Sequence, residues 1–249
     1  MSPVAIELRG LGYAYPDGTP ALRGLDLHIA HGEAVAVVGA NGAGKSTLLL
    51  HLNGLLLPSQ GEVRIDGLPV ARATLARVRR NVGFVFQDAD DQLFMPTVQD
   101  DVAFGPSNQG LSAQQVQARV DAALDAVGAT HLAKRAPYRL SGGEKRATAI
   151  AGVLAMEPSI LVLDEPSSGF DPAGRRRLIG LLRSFTQTRV IATHDLDLVL
   201  EVCERVLVLH HGRVEADGAP NELFADPDLL RRCHLEPPLG GVRGDVQEL

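Results

Sequence analysis

Eight residues, Gly39-Ala40-Asn41-Gly42-Ala43-Gly44-Lys45-Ser46, follow directly on the apolar run Ala34-Val35-Ala36-Val37-Val38. A continuous apolar run of that length suits a strand buried on both faces. The eight residues match the pattern G-x-x-x-x-G-K-[ST] in full, and a helical pattern, Ser46 to Gly54, comes next. Glycines let successive backbone N–H groups turn inward around phosphate oxygens. The helix presents its positive end to the same anion. The expected site is therefore a phosphate cradle made of Gly39, Asn41, Gly42, Ala43, Gly44, Lys45, Ser46 and Thr47. Lys45 is expected to reach the β- and γ-phosphates, and Ser46 to ligate Mg²⁺. This loop alone does not choose among kinases, GTPases and ATPases.

Other short runs read as strands: Ile6 to Leu8, Leu25 to Ile29, Val82 to Phe86, Ile160 to Leu163, Val190 to Thr193 and Val206 to Leu209. Helical patterns lie between them, notably Pro172 to Phe185 and Asp195 to Cys203. Such alternation predicts an α/β core with a largely parallel sheet, preceded by an N-terminal antiparallel β subdomain. From about 100 to 155 the pattern is helical, clearest over Ala113 to Val127. We expect one domain over 1–249, a helical subdomain inserted at about 88–158, and an irregular tail at about 235–249.

The second chemical element is Ile160-Leu161-Val162-Leu163-Asp164-Glu165, a buried strand ending in two acids. Asp164 fits the role of holding Mg²⁺, through water. Glu165 is placed to polarise an attacking water as general base. The alternative is that the two acids only cap the turn that Pro166 opens.

The third is Leu140-Ser141-Gly142-Gly143-Glu144. Ser141 and Glu144 make an S-x-x-E capping box, which on its own would simply start a helix. Capping does not need two glycines, which cost helix stability. Here the chain resembles the ATP-binding-cassette ATPases, over nearly its whole length. That resemblance implies a P-loop NTPase fold binding ATP and Mg²⁺, with Ser141, Gly142 and Gly143 contacting the γ-phosphate held by a second subunit, in a homodimer. It further implies that Gln87 senses Mg²⁺ and the attacking water. Asp171, in Ser168-Gly169-Phe170-Asp171, works across the dimer, His194 contacts the γ-phosphate, and Tyr15 stacks on adenine. For Tyr15 a core or edge aromatic is the alternative. Phe170 stands where Leu is common and Glu144 where Gln is frequent; neither change removes a phosphate or metal ligand.

Four stretches narrow the resemblance: Tyr13 to Gly18, Phe86 to Phe94, Pro96-Thr97-Val98, and Asp101-Val102-Ala103-Phe104-Gly105-Pro106. They are similar to the ATPase subunit of energy-coupling-factor importers of the cobalt/nickel group. This implies a transmembrane coupling protein and substrate-capture membrane subunits as partners, cobalt as favoured cargo, and nickel or a vitamin as alternatives. In that group, basic side chains of the coupling protein dock in a groove of the ATPase, so Asp88, Asp90 and Asp91 are expected to line it.

Composition removes other classes. A net charge of −6 argues against a sequence-independent grip on nucleic acid; Arg175-Arg176-Arg177 reads as a solvated helix face. No run reaches the about 18 apolar residues a membrane span needs, and the first residues lack signal-peptide regions. The expected place is the cytoplasmic face of the cell membrane, held through partners. Cys203 and Cys233 lack metal-type spacing. His210-His211 and Cys233-His234 lack a matching partner pair. A DNA- or ribosome-acting cassette ATPase is the alternative from another class, but the long coiled coil or second cassette usual there is missing.

Overall fold

A computed structural model describes residues 4–240. Among the described residues ten strands fall into two sheets. The first is antiparallel, in the order β2 (Pro20–Ala30), β1 (Val4–Ala14), β4 (Gln60–Ile65), β5 (Leu68–Pro69). The second runs β10 (Arg213–Gly218), β9 (Arg205–His210), β3 (Ala34–Val38), β8 (Thr188–Ala192), β7 (Ile160–Asp164), β6 (Val82–Val85). Its last five strands are parallel, and β10 closes the edge antiparallel to β9. The helices are α1 (Lys45–Leu52), α2 (Leu75–Asn81), α3 (Val98–Asn108), α4 (Ala113–Ala126), α5 (Gly142–Leu154), α6 (Pro172–Ser184), α7 (Leu196–Val202), α8 (Pro220–Phe224) and α9 (Pro227–Arg232).

Strand β3 sits between β9 and β8, and every residue in it is buried. Successive side chains point to opposite faces. Val35 and Val37 therefore join Leu48, Leu49 and Leu52 of α1 and the inner residues of the antiparallel sheet. Ala36 and Val38 join Leu178 and Leu182 of α6 and Leu198 and Val199 of α7. Covering both faces explains the unbroken apolar run. Helices α3, α4 and α5 enclose a third cluster that includes Val98, Val102, Val120, Leu124 and Ala151. Helix α5 serves two cores: Ala151 faces α3 and α4, whereas Ile150 and Val153 pack on the parallel sheet.

The edge elements differ from the sequence reading. Strands β4, β5 and β10 were not expected. In β10 (Arg213–Gly218) exposed and half-buried positions alternate, so no apolar run marks it. Its real signal is the turn: His210 pairs with Arg213, leaving His211 (φ 48°) and Gly212 (φ 74°) as a two-residue hairpin loop. Residues 235–240 carry no regular structure; the rest of the expected tail, 241–249, lies outside the described residues.

The parallel sheet also explains where the site lies. Gly39 follows the end of β3, Gln87 the end of β6, Asp164 closes β7 and His194 follows β8. All these strands run the same way, so their C-terminal ends open on one edge.

Candidate functional site

The glycine loop presses on its neighbours. A Cβ on Gly39 would stand 2.3 Å from the Leu209 carbonyl oxygen, and one on Gly44 (φ 107°) 2.8 Å from that of Ala21. No other residue fits at either position. Lys45 is 9% exposed, and its Nζ donates to Gly39 O at 2.7 Å and Ala40 O at 3.2 Å. The ammonium is thereby held at the centre of the loop, while Ser46, Asn41 and Gly42 face outward. Thr47 is buried, with its hydroxyl 2.8 Å from that of Tyr15. The structure thus brings Tyr15, 38% exposed, to the side of the loop. Tyr13 packs edge-on against both Tyr15 and His51.

Ser46, Gln87 and Asp164 line one cleft of 540 Å³, together with Asp88, Asp90, Asp91, Arg146 and Gly142. Burial pushes the Asp164 carboxyl pKa up, and a hydrogen bond with Ser46 works against this. Asp164 Oδ1 is buried without a hydrogen-bond partner among the described residues. An unpaired buried carboxylate oxygen is costly by itself. Beside the Ser46 hydroxyl and the Gln87 amide it would supply the hard oxygen donors that Mg²⁺ prefers. The residues present therefore fit that ion.

Glu165 adopts φ 48°, a left-handed conformation rare for a residue with a side chain. Its N–H donates to Ala192 O at 2.8 Å, tying it to the end of β8. Its Oε2 accepts from Thr193 Oγ1 at 3.2 Å and from the His194 N–H at 3.4 Å, and lies 2.9 Å from His194 Nδ1. The turn that sequence reading allowed as mere capping instead aims the carboxylate at the neighbouring strand end.

Ser141, Gly143 and Asp171 stand apart from this group, while Gly142 borders both clefts. They line a second cleft, of 440 Å³, with Phe170, His131 and Arg177; Lys45, Ser46 and Asp164 do not reach it. The capping box is present: Ser141 N–H donates to Glu144 Oε2 at 2.8 Å, and Glu144 N–H to Ser141 Oγ at 3.4 Å. The Ser141 N–H and the Ser141 hydroxyl, both donated to Glu144 Oε2, hold the Glu144 carboxyl pKa below its usual range. A Cβ on Gly142 would meet nothing within 4 Å, whereas one on Gly143 would come 3.3 Å from Gly169 O. Nothing among the described residues requires Gly142 to be glycine. Asp171 caps α6, accepting from Gly174 N–H at 2.6 Å. The larger ring at Phe170 is accommodated by Gly174, whose Cβ would stand 2.7 Å from it.

Three features escaped sequence reading. Thr193, wholly buried, orients Glu165. Lys145 Nζ reaches Asp90 at 2.6 Å, so that acid already has a partner inside the chain, and Asp88 accepts from Asp90 N–H at 2.9 Å. Arg146 is buried and donates to the carbonyls of Phe86 and Gln87. A signal for it existed: a charged residue at helical spacing from Ile150 and Val153.

Arg175 is committed to Asp195, with both N–H···O distances at or below 2.8 Å. The rings of His210, His211 and His234 gather at the β9–β10 hairpin, with centroids 4.1 and 6.0 Å apart. Cys233 is buried beside His234. Among the described residues no three His, Cys, Asp or Glu side chains are placed to hold a metal ion. No helix among them is long and apolar enough to cross a membrane.

The ABC transporter family model matches residues 22–168. The energy-coupling factor transporter ATP-binding protein EcfA of Methanothermobacter thermautotrophicus is 52% identical over 94% of this chain and 76% of its own length. Among solved structures, cbiO1 of Clostridium perfringens, described as part of the ABC transporter complex cbiONQ, superposes with a TM-score of 0.81. It is 42% identical and matches 93% of this chain and 94% of that one. The ATP-binding cassette MJ0796, in a dimeric post-hydrolysis state bound to ADP and Pi, is 29% identical, with a TM-score of 0.79 over 86% of this chain and 98% of that one.

Proposed function

This chain belongs to the ABC transporter family, as an ATPase that works with a transporter, and on that premise we propose that it powers an energy-coupling-factor importer of cobalt. Two copies are arranged head to tail, each hydrolysing ATP at its interface with the other. The observation that carries the dimer is the division of the site. Ser46, Gln87 and Asp164 share one cleft, while Ser141, Gly143 and Asp171 line another. In a head-to-tail pair a second chain brings its Ser141 and Gly143 to a phosphate on the first group, and Gly142, where an added Cβ would meet nothing within 4 Å, leaves room for that approach.

In this reading the N–H groups of Gly39 to Thr47 and the Lys45 ammonium hold the phosphates, and Tyr15 carries the adenine. Ser46, Gln87 and Asp164 hold Mg²⁺, which supplies charge neutralisation on the phosphate oxygens. Glu165 takes a proton from the attacking water, with Thr193 fixing its carboxylate. His194 and the partner's Ser141, Gly142 and Gly143 stabilise charge on the transferred phosphoryl group, and Asp171 acts across the interface.

The membrane coupling protein meets the face beside Gln87. Phe94 and Phe104 are 64% and 46% exposed and stack edge to face at 4.9 Å, an apolar spot on a cleft that shares Phe84 with the one lined by Asp88 and Asp91. The cobalt assignment rests on the likeness to cbiO1 and on the motifs around Gln87; nickel is the alternative. Coexpression with the membrane subunits, followed by uptake of radiolabelled cobalt and nickel in separate vesicle assays, tests it. Uptake of neither ion, with ATP hydrolysis intact, would remove the metal cargo and leave the ATPase.

A further inference from the structure

Three side chains staple the signature helix to the segment that carries Gln87. Lys145 Nζ meets the Asp90 carboxylate at 2.6 and 2.8 Å. Gln92 Nε2 donates to Ala149 O at 3.0 Å, and its Oε1 accepts from Phe86 N–H at 3.4 Å. Between them Arg146 gives two guanidinium N–H groups to two consecutive carbonyls, Phe86 O and Gln87 O.

Arg146 is an expensive residue to keep where it is. It is 5% exposed, one turn of α5 from Ile150, and its Nε has no hydrogen-bond partner among the described residues. Burial pushes its pKa down, against the opposing pull of Asp88, Asp164 and Glu165. An apolar side chain would pack at such a position without the desolvation cost. What an apolar residue or a lysine does not supply is a planar fork of donors that spans two adjacent carbonyl oxygens.

We propose that Arg146 is a positioning residue that makes the Gln87 segment and the signature helix one moving body. Gln87 is then set over the Ser46–Asp164 cleft by the place that Ser141 to Gly143 take on the partner's nucleotide. Docking of the signature on one ATP and alignment of Gln87 at the other become a single movement. A push by a membrane partner on residues 88–94 reaches the signature glycines through the same link. The inference rests on the roles given above to Gln87 and to the signature, and it adds a residue that neither role contains.

The test is a double-mutant cycle in the full chain: Arg146→Met, Gln87→Ala and both together, with Arg146→Lys as a second probe. Steady-state hydrolysis gives kcat and KM, calorimetry gives MgADP affinity, and thermal unfolding reports the fold. Loss of the buried charged bonds should lower kcat about ten-fold or more in Arg146→Met. MgADP affinity should stay within about two-fold, since the nucleotide loop is untouched. Arg146→Lys should be nearly as slow, because an ammonium does not bridge both carbonyls. In the Gln87→Ala background, Arg146→Met should cost less than about two-fold more, the non-additivity of groups acting as one unit. Wild-type kcat in Arg146→Met, or full additivity in the double variant, overturns the proposal. So does a joint loss of Tm and MgADP affinity in Arg146→Lys, which also decides the matter if the Met variant does not fold. Unchanged turnover in Gln87→Ala alone would instead remove the role of Gln87, and the proposal with it.

Discussion

His194 Nδ1 stands 2.9 Å from Glu165 Oε2, and the same oxygen also accepts from Thr193 Oγ1 and the His194 N–H. The carboxylate is nearly buried, with 10% of its side chain exposed, while the imidazole is 77% exposed at the mouth of the site. One carboxylate oxygen thus collects the donors that fix its direction. The exposed ring is free to meet an incoming phosphate.

Glu165→Gln tests what that carboxylate does. The amide keeps an oxygen acceptor for Thr193 but no longer takes a proton. Turnover should fall about 10²- to 10⁴-fold, the usual size of a general-base contribution. MgATP binding should survive, and an ATP-bound dimer should accumulate on a sizing column. Near-normal steady-state hydrolysis would show that water is activated elsewhere.

Lys45→Ala should act at binding. The ammonium is seated among the loop carbonyls at 2.7 and 3.2 Å, and its removal deletes a charge-assisted phosphate contact. Calorimetry should show weaker MgATP binding by about ten-fold or more, in line with a hydrogen bond to a charged group. Unchanged affinity would count against the loop as the phosphate site.

The division of the site into two clefts makes a mixing prediction. A Lys45→Ala chain has a damaged phosphate loop and an intact signature; a Ser141→Arg chain has the reverse. Either homodimer carries two defective composite sites. A mixed dimer gathers both lesions in one site and leaves the other whole. Mixing the two inactive proteins should therefore restore hydrolysis. Verified mixed dimers with no activity would exclude trans pairing or single-site turnover.

Much of this was legible in the sequence, for physical reasons. The β3 run and its glycine loop are local: burial on both faces and close backbone approach each leave a mark in consecutive residues. Asp164 and Glu165 stood out because they close a buried apolar run, His194 came only from the family resemblance, and the parallel sheet places all three at one edge. The links between elements were not legible. Lys145 and Asp90, 55 residues apart, meet only after the α5 helix has packed. The β10 strand was missed because its pattern is that of an exposed edge, and its hairpin turn places a histidine at positive φ. Glu144, read as a departure, proves to serve its own helix cap and to face Arg135 at 3.6 Å.

Asp101 offers a test of stability. It is 9% exposed and its Oδ1 accepts from the N–H groups of Phe94 and Met95. Burial raises its carboxyl pKa, so the folded state holds the proton more tightly than the unfolded chain does. Its ionisation therefore costs stability as pH rises through and above the unfolded value. Asp101→Asn keeps the acceptor and removes the charge, and should be at least as stable as wild type in urea at pH 7. Asp101→Ala strands two N–H groups and should lose about 1–3 kcal/mol. Equal damage from both substitutions would show that the charge itself is needed.

The last prediction concerns the acids beside Gln87. Asp88, Asp90 and Asp91 all line the cleft, but they are not equivalent. Asp90 is bound to Lys145, and Asp88 caps the short turn that follows it. A basic side chain of a membrane coupling protein would meet Asp91 and the outer edge of Asp88 first, and would compete with Lys145 for Asp90. Exposed ion pairs contribute about 0–1 kcal/mol each, and desolvated interface pairs more. Replacing all three acids with Asn retains the turn-capping oxygen at Asp88 while removing the negative patch. Assembly with the membrane subunits and ion uptake should weaken, and nucleotide binding by the isolated chain should change little. The assays are copurification yield and initial uptake rate at matched ATPase concentration. A triple variant that assembles and transports at the wild-type rate would show that the patch couples nothing, and would leave the exposed Phe94–Phe104 pair to carry the contact alone.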